Sequence, residues 1–176
     1  MSSFSNITLI GMPGSGKSTL GRRLAYLRGM KFIDTDTVLE QVKNRSIQQL
    51  IDYHGIDYLR DLEGEVISQL DLSNHVIATG GSAVYNSKAI KHLGILGARV
   101  YLEISMTTLR QRVTNVESRG LAKMKSHSLP RLYLEREPLY QAAADIISIN
   151  NRPLTATSMS VLNQQLDRFF IDRNQA

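Results

Sequence analysis

Eight consecutive residues carry the clearest chemistry in the chain: Gly11-Met12-Pro13-Gly14-Ser15-Gly16-Lys17-Ser18. They satisfy the pattern G-x-x-x-x-G-K-[ST] at every required position. Glycines let backbone N–H groups curl around phosphate oxygens, and the start of a following helix adds positive potential. Lys17 is a compact cation placed for β- and γ-phosphates, and Ser18 offers a hydroxyl to Mg²⁺. Gly14, Ser15, Gly16, Lys17, Ser18 and Thr19 are therefore the candidate contacts to a nucleoside triphosphate. A second cluster, Asp34-Thr35-Asp36, puts two carboxylates on alternate residues. One can hold the shell of a bound Mg²⁺ while the other takes a proton from a phosphoryl acceptor. The ordinary alternative for either acid is to cap a helix starting at Thr37.

These residues need elements to hold them. Apolar runs at 7–10, 31–33, 76–78, 99–104 and 146–149 read as strands. Between them lie helical patterns. One over 16–28 carries Leu20, Leu24 and Leu27; one starts at the Ser46–Gln49 capping box and stops near Gly55. Another over 56–70 has Leu59, Leu62, Val66, Ile67 and Leu70 on one stripe. Further helices are expected at 87–93, ending at Gly94, from Thr107, from Ser128 to about Ala144 with Pro130 in its first turn, and at 156–170. Such β-α alternation predicts an α/β fold with a parallel sheet covered on both faces. Ligands of such sheets bind beyond the carboxyl ends of the strands, where Gly11, Asp34 and Thr79-Gly80 all fall.

Composition narrows the classes. With 176 residues the chain is expected to form a single domain, 1–176. The absence of cysteine excludes disulfides, thiolate metal sites and cysteine catalysis. No apolar run approaches a membrane span, and the N-terminus lacks the basic start of a signal peptide, so a cytoplasmic location and no membrane partner are expected. Net charge is +5, and arginine outnumbers lysine 14 to 7. No basic run interleaved with aromatics supports nucleic-acid binding; an anionic small molecule suits the arginines better. The four histidines form no metal-spaced pair, and His54, His75 and His92 read as helix-end or strand-start residues. Tyr53 and Tyr58 read as packing residues. The stretch 114–128 is polar, basic and aperiodic, the best candidate for a mobile lid.

Taken in order, GMPGSGKST (11–19), FIDTD (32–36), SIQQLIDYHGIDYLRDLE (46–63), VIATGGSAV (76–84), RVYLEI (99–104) and YLEREPLYQAAAD (133–145) resemble the shikimate kinase family over nearly the whole chain. The resemblance implies a three-layer sandwich around five parallel strands in the order 2-3-1-4-5. It implies ATP-dependent phosphorylation of shikimate, with ATP and Mg²⁺ as cofactors, in a monomer with a substrate-binding region at 34–70 and a lid at 114–128. By position, Asp34 matches the acid near Mg²⁺ and Asp36 the acid that binds substrate hydroxyls. Arg60 and Arg136 match the pair clamping the shikimate carboxylate, and Gly80 and Gly81 the turn against the substrate. Arg119 matches the lid arginine that reaches the phosphates and Arg112 the one stacking on adenine. Arg152 and Pro153 fall in the adenine loop.

Read alone, neither arginine identifies itself. Arg60 is three residues from Glu63, which can brace its guanidinium; Arg136 is flanked by Glu135 and Glu137, ordinary ion-pair partners. Three positions depart from the family pattern. The third glycine of the turn is Ser82, strained if its φ is positive. The lid's Arg-Pro pair is Arg119-Gly120, and Leu59 replaces the aromatic residue before Arg60. Two other functions stand beside this reading. A related kinase acting on another polyol acid, such as gluconate, would not depend on Arg60 and Arg136. A non-catalytic nucleotide-binding paralogue would bind ATP without turnover, against which the intact Lys17, Ser18, Asp34 and Asp36 argue.

Overall fold

The computed structural model describes residues 5–113 and 129–175. The expected lid, with Arg119 and Gly120, and the expected cap at Ser128 lie outside them. Five strands form one parallel sheet: β1 (Asn6–Ile10), β2 (Lys31–Asp34), β3 (His75–Ala78), β4 (Gly97–Glu103) and β5 (Ile146–Ile149), in the order β2-β3-β1-β4-β5. The register sets Leu9 beside Ala78 and Val100, with Asp34 level with Ala78. The loop after β1, the acids ending β2 and the glycines after β3 therefore share one sheet edge.

The sheet is buried on both faces, so alternate residues feed two cores. Ile7, Leu9, Val76 and Leu102 pack under α1 (Lys17–Arg28) and α7 (Ala156–Asn174) through Leu20, Leu24, Met159, Leu162 and Leu166. On the opposite face Ile10 and Tyr101 meet α6 (Leu129–Ala143) through Leu132 and Tyr140. There Ile77 meets α4 (Ser87–Leu96) through Ala89 and Leu93, and α3 (Ile47–Ser68) through Ile67. A smaller cluster of Leu39, Leu50, Leu59 and Leu62 joins α2 (Thr35–Lys43) to α3. The last helix, α5 (Met106–Arg112), follows β4. No described helix is long and apolar enough to cross a membrane.

Several expected boundaries shift. The helix after β2 begins at Thr35, two residues before Thr37, because Asp34 is its N-cap and accepts the Asp36 N–H at 3.2 Å. The Ser46–Gln49 capping box is present, and the break at Gly55 is real: that residue leaves the helix at φ +85° before the second segment resumes. Gly94 does not end α4. It lies within α4, which runs on to Leu96, and the Arg99 guanidinium occupies the space where its side chain would stand, 3.0 Å from an added Cβ. That guanidinium is anchored to Asp145, Nη2 to Oδ1 at 2.8 Å, tying β4 to the start of β5. His92 is inside α4, not at a helix end, and its ring meets the Leu70 carbonyl at 2.7 Å. Tyr58 stacks against His54, whereas Tyr53 is exposed under the Arg45 guanidinium. α7 runs four residues past Phe170, to Asn174.

Candidate active site

The loop between β1 and α1 is built by backbone geometry. Gly14 (φ +82°) and Gly16 (φ +97°) hold left-handed conformations that side chains rarely adopt. The Ser15 N–H closes on the Met12 carbonyl at 3.0 Å. No side chain caps the first turn of α1. Lys17 is buried and donates through Nζ to the carbonyls of Gly11 and Met12, both at 2.9 Å. Burial pushes its ammonium down to about 8, against the pull of Asp36, Asp34 and Glu63. The Ser15 hydroxyl is buried and has no partner among the described residues. A backbone cradle, a buried cation and an unpartnered buried hydroxyl together suit phosphate oxygens.

Ser18, in the first turn of α1, donates from Oγ to Asp34 Oδ2 at 2.6 Å. A hydroxyl and a carboxylate held side by side are the hard oxygen ligands that Mg²⁺ prefers, so these two residues fit the ion. On the other side of the loop, Asn150 donates from Nδ2 to the Ser15 carbonyl at 2.6 Å, and Arg112 reaches the same oxygen at 3.4 Å.

A cavity of about 1120 Å³ opens over this edge, lined by Lys17, Ser18, Asp34 and Asp36, by Glu63, Gly80, Gly81 and Arg136, and by Arg112, Arg152 and Pro153. Exposed Thr19 and buried Leu59 line it too. Asp36 opens onto the cavity, yet desolvation among the surrounding groups, and then the charge of Asp34, push its carboxyl up to about 6; Lys17 opposes both. Gly80 leaves room for two carboxyl groups: an added Cβ would crowd Glu63 Oε1 and stand 2.7 Å from Asp36 Oδ1, so both converge on its backbone.

Arg136 is 2% exposed, and among the described residues no carboxylate forms an ion pair with it. The expected pairing with its neighbours does not form: Tyr85 donates to Glu135 and Tyr133 to Glu137. Arg136 donates instead from Nη1 to the Gly81 carbonyl at 3.0 Å and from Nε to Tyr85 Oη at 3.1 Å. Tyr140 also donates to the Gly81 carbonyl, at 2.6 Å. A buried guanidinium held only by neutral groups beside a cavity is a seat for an anion.

Arg60 behaves differently from expectation. Glu63 does not brace it; Asp57 pairs with it at 3.3 Å, its guanidinium lies over the Tyr85 ring, and it stands beside the cavity, outside the lining. Glu63 turns the other way and accepts from the Ser82 hydroxyl, leaving Oε1 buried and unpartnered. Burial, and then the charge of Asp36, push Glu63 up to about 7, against Ser82, Arg136 and Lys17. Ser82 carries no strain, since its φ is −96°. The sequence reading passed over Tyr85, Tyr140 and Asn150. Each acts across the fold, and no local pattern announces such a contact.

A doubly covered parallel sheet with this loop at its first crossover defines a small P-loop kinase. The shikimate kinase family model matches residues 13–168. A shikimate kinase of Clostridium botulinum (strain Okra / Type B1) is 39% identical over 150 residues, 83% of this chain and 88% of that one. One from Francisella tularensis subsp. holarctica is 36% identical over 163 residues, 90% and 91% of the two chains. Among solved structures, a shikimate kinase from Acinetobacter baumannii in complex with shikimate superposes with TM-score 0.82 at 27% identity, covering 97% of this chain and 96% of that one. The Aquifex aeolicus shikimate kinase gives 0.76 at 30% identity, covering 92% and 96%. The chain belongs to the shikimate kinase family.

Proposed function

We propose that this chain transfers the γ-phosphoryl group of ATP to a hydroxyl of shikimate, giving 3-phosphoshikimate and ADP. The observation that carries the acceptor side is Arg136: a buried guanidinium with no carboxylate partner among the described residues, beside two carboxyl groups and a phosphate-binding loop. A carboxylate on the acceptor supplies the missing charge, and hydroxyls on its ring reach Asp36. Arg60 supports the same carboxylate from the rim.

In the reaction a bond forms from the acceptor oxygen to the γ-phosphorus and the bond from that phosphorus to the bridging oxygen of ADP breaks. Asp36 takes the hydroxyl proton, a task suited to a carboxyl near 6 at neutral pH. The loop N–H groups and Lys17 hold the phosphates and stabilise the charge that moves onto ADP. Ser18 and Asp34 would hold Mg²⁺, which when bound neutralises phosphate charge. Gly80 and Gly81 let the acceptor approach the backbone. Arg112, Arg152 and Pro153 stand where a base would lie beside the loop, and we assign Arg119, outside the described residues, to the phosphates from a lid at 114–128. We also infer one domain, with 34–70 as its acceptor region, acting as a cytoplasmic monomer.

The test is ADP release with MgATP alone, with shikimate and with gluconate. Stimulation by shikimate supports the reading. Stimulation by gluconate alone moves the acceptor to another polyol acid, and ATP binding without any turnover leaves a nucleotide-binding protein.

A further inference from the structure

The two arginines of the acceptor side share one seat. The Tyr85 ring, in the 3₁₀ turn Ala83–Tyr85, has the Arg60 guanidinium carbon 4.6 Å from its centroid and that of Arg136 at 5.1 Å. The phenol oxygen accepts from Arg136 Nε at 3.1 Å and donates to Glu135 Oε1 at 2.6 Å, which fixes the ring in the plane the guanidiniums need. Two like charges are thus gathered around one side chain. They arrive from α3 and α6, which have no sequence relation to each other.

Arg60 depends on that ring more than on its acid. Asp57 is 89% exposed, so solvent weakens the pair, and Arg60 Nε is buried with no partner. An aromatic face attracts a guanidinium most strongly where water is excluded. Arg136 has only neutral partners among the described residues. Without Tyr85, nothing described draws the two cations toward one another, and their mutual repulsion favours separation.

We propose that Tyr85 is a positioning residue for acceptor binding: its ring holds Arg60 and Arg136 converged before any anion arrives. The side chain need not touch the acceptor, and it takes no part in phosphoryl transfer. The inference rests on the reading of Arg60 and Arg136 as carboxylate ligands, and it adds a residue that lies outside the segments that suggested them. Preorganisation of this kind lowers the ordering cost of binding and so acts on acceptor affinity.

The experiment compares wild type with Tyr85→Phe and Tyr85→Leu. In the free proteins, side-chain resonances of Arg60 and Arg136 are recorded by NMR. Ring-current shifts on both, kept in Tyr85→Phe and lost in Tyr85→Leu, are expected; unshifted arginines in wild type overturn the proposal. Steady-state kinetics on the same proteins should show a roughly tenfold rise in KM for shikimate in Tyr85→Leu and two- to threefold in Tyr85→Phe, with KM for ATP and kcat within about twofold. Equal effects on both substrates, or equal effects of Phe and Leu, also overturn it. In a double-mutant cycle, Arg60→Leu and Tyr85→Leu should be strongly non-additive, and additivity overturns the shared seat. A wild-type protein that ignores shikimate defeats the proposed acceptor instead; the NMR comparison still decides whether Tyr85 seats the two arginines.

Discussion

The two halves of the site are built in opposite ways. The phosphate half is a run of eight neighbouring residues, Gly11–Ser18, that closes on its own carbonyls and takes outside contacts from Asn150, Arg112 and Asp34. The acceptor half is gathered from four places: Asp36 on α2, Arg60 and Glu63 on α3, the Gly80–Tyr85 turn, and Arg136 with Tyr140 on α6. Gly81 is where they meet. A Cβ there would stand 2.7 Å from Pro13 of the loop and 3.0 Å from Arg136 Nη1. A backbone-built site tolerates changes in its surroundings, whereas a side-chain site depends on every neighbour that orients it.

Substitutions should expose this difference. The largest effect is expected from Lys17→Met, which removes the only lysine lining the cavity among the described residues. Turnover should fall about 10²–10³-fold, and isothermal titration should show weaker ATP binding with shikimate binding little changed. Asp36→Asn comes next. It keeps shape but cannot accept a proton, so kcat should fall about 100-fold with a small change in KM for the acceptor. Unchanged kcat would remove Asp36 from the chemistry.

Arg136→Lys should act on the acceptor alone. Lysine cannot donate to Gly81 and Tyr85 in the same fork, and KM for shikimate should rise roughly ten- to a hundredfold. A parallel rise in KM for ATP would mean that the halves are coupled through Gly81. The pH profile then separates them. Asp36 must be ionised, so activity should be lost as pH falls through about 6; Lys17 must be charged, so activity should be lost again as pH rises through about 8. Asp36→Asn should abolish the acid limb and move the alkaline one to lower pH, since the Asp36 charge helps Lys17 hold its proton.

The smallest effect concerns stability. Glu63 is raised to about 7, so the folded state holds its proton more tightly than the unfolded chain does. The stability this brings is full below about 4.5 and is lost as pH rises through 7. Glu63→Gln should therefore melt higher than wild type at pH 8, by about 2–4 °C, and close to it at pH 4. An equal shift at both values would mean that Glu63 ionises freely in the fold.

The same contrast explains what the amino-acid sequence could show. The loop and the five strands are legible because their signals are contiguous: glycine spacing, apolar runs and a capping box. The acceptor half is not, because i,i+3 spacing is symmetric. Arg60 has Glu63 on one side and Asp57 on the other, and only burial decides that Glu63 faces inward toward Ser82. Gly94 misled as a stop signal because its missing side chain makes room for the Arg99 guanidinium, which returns on β4 after the helix has ended. Family resemblance named Arg136, but its missing counter-charge appears only when α6 is laid against the turn after β3.

The paired bonds from Lys17 to Gly11 and Met12 carry one more consequence. Nucleotide capture is an exchange, not an addition. To meet a phosphate, the ammonium must loosen two loop carbonyls, and those oxygens must be re-solvated or shared. Measured affinity is then the small remainder of two larger quantities. Lone inorganic phosphate, with little else to grip, should compete poorly, while a triphosphate spreading its charge along the loop compensates for the swap. Selectivity for the full nucleotide is thus set partly by what the empty loop already does for itself.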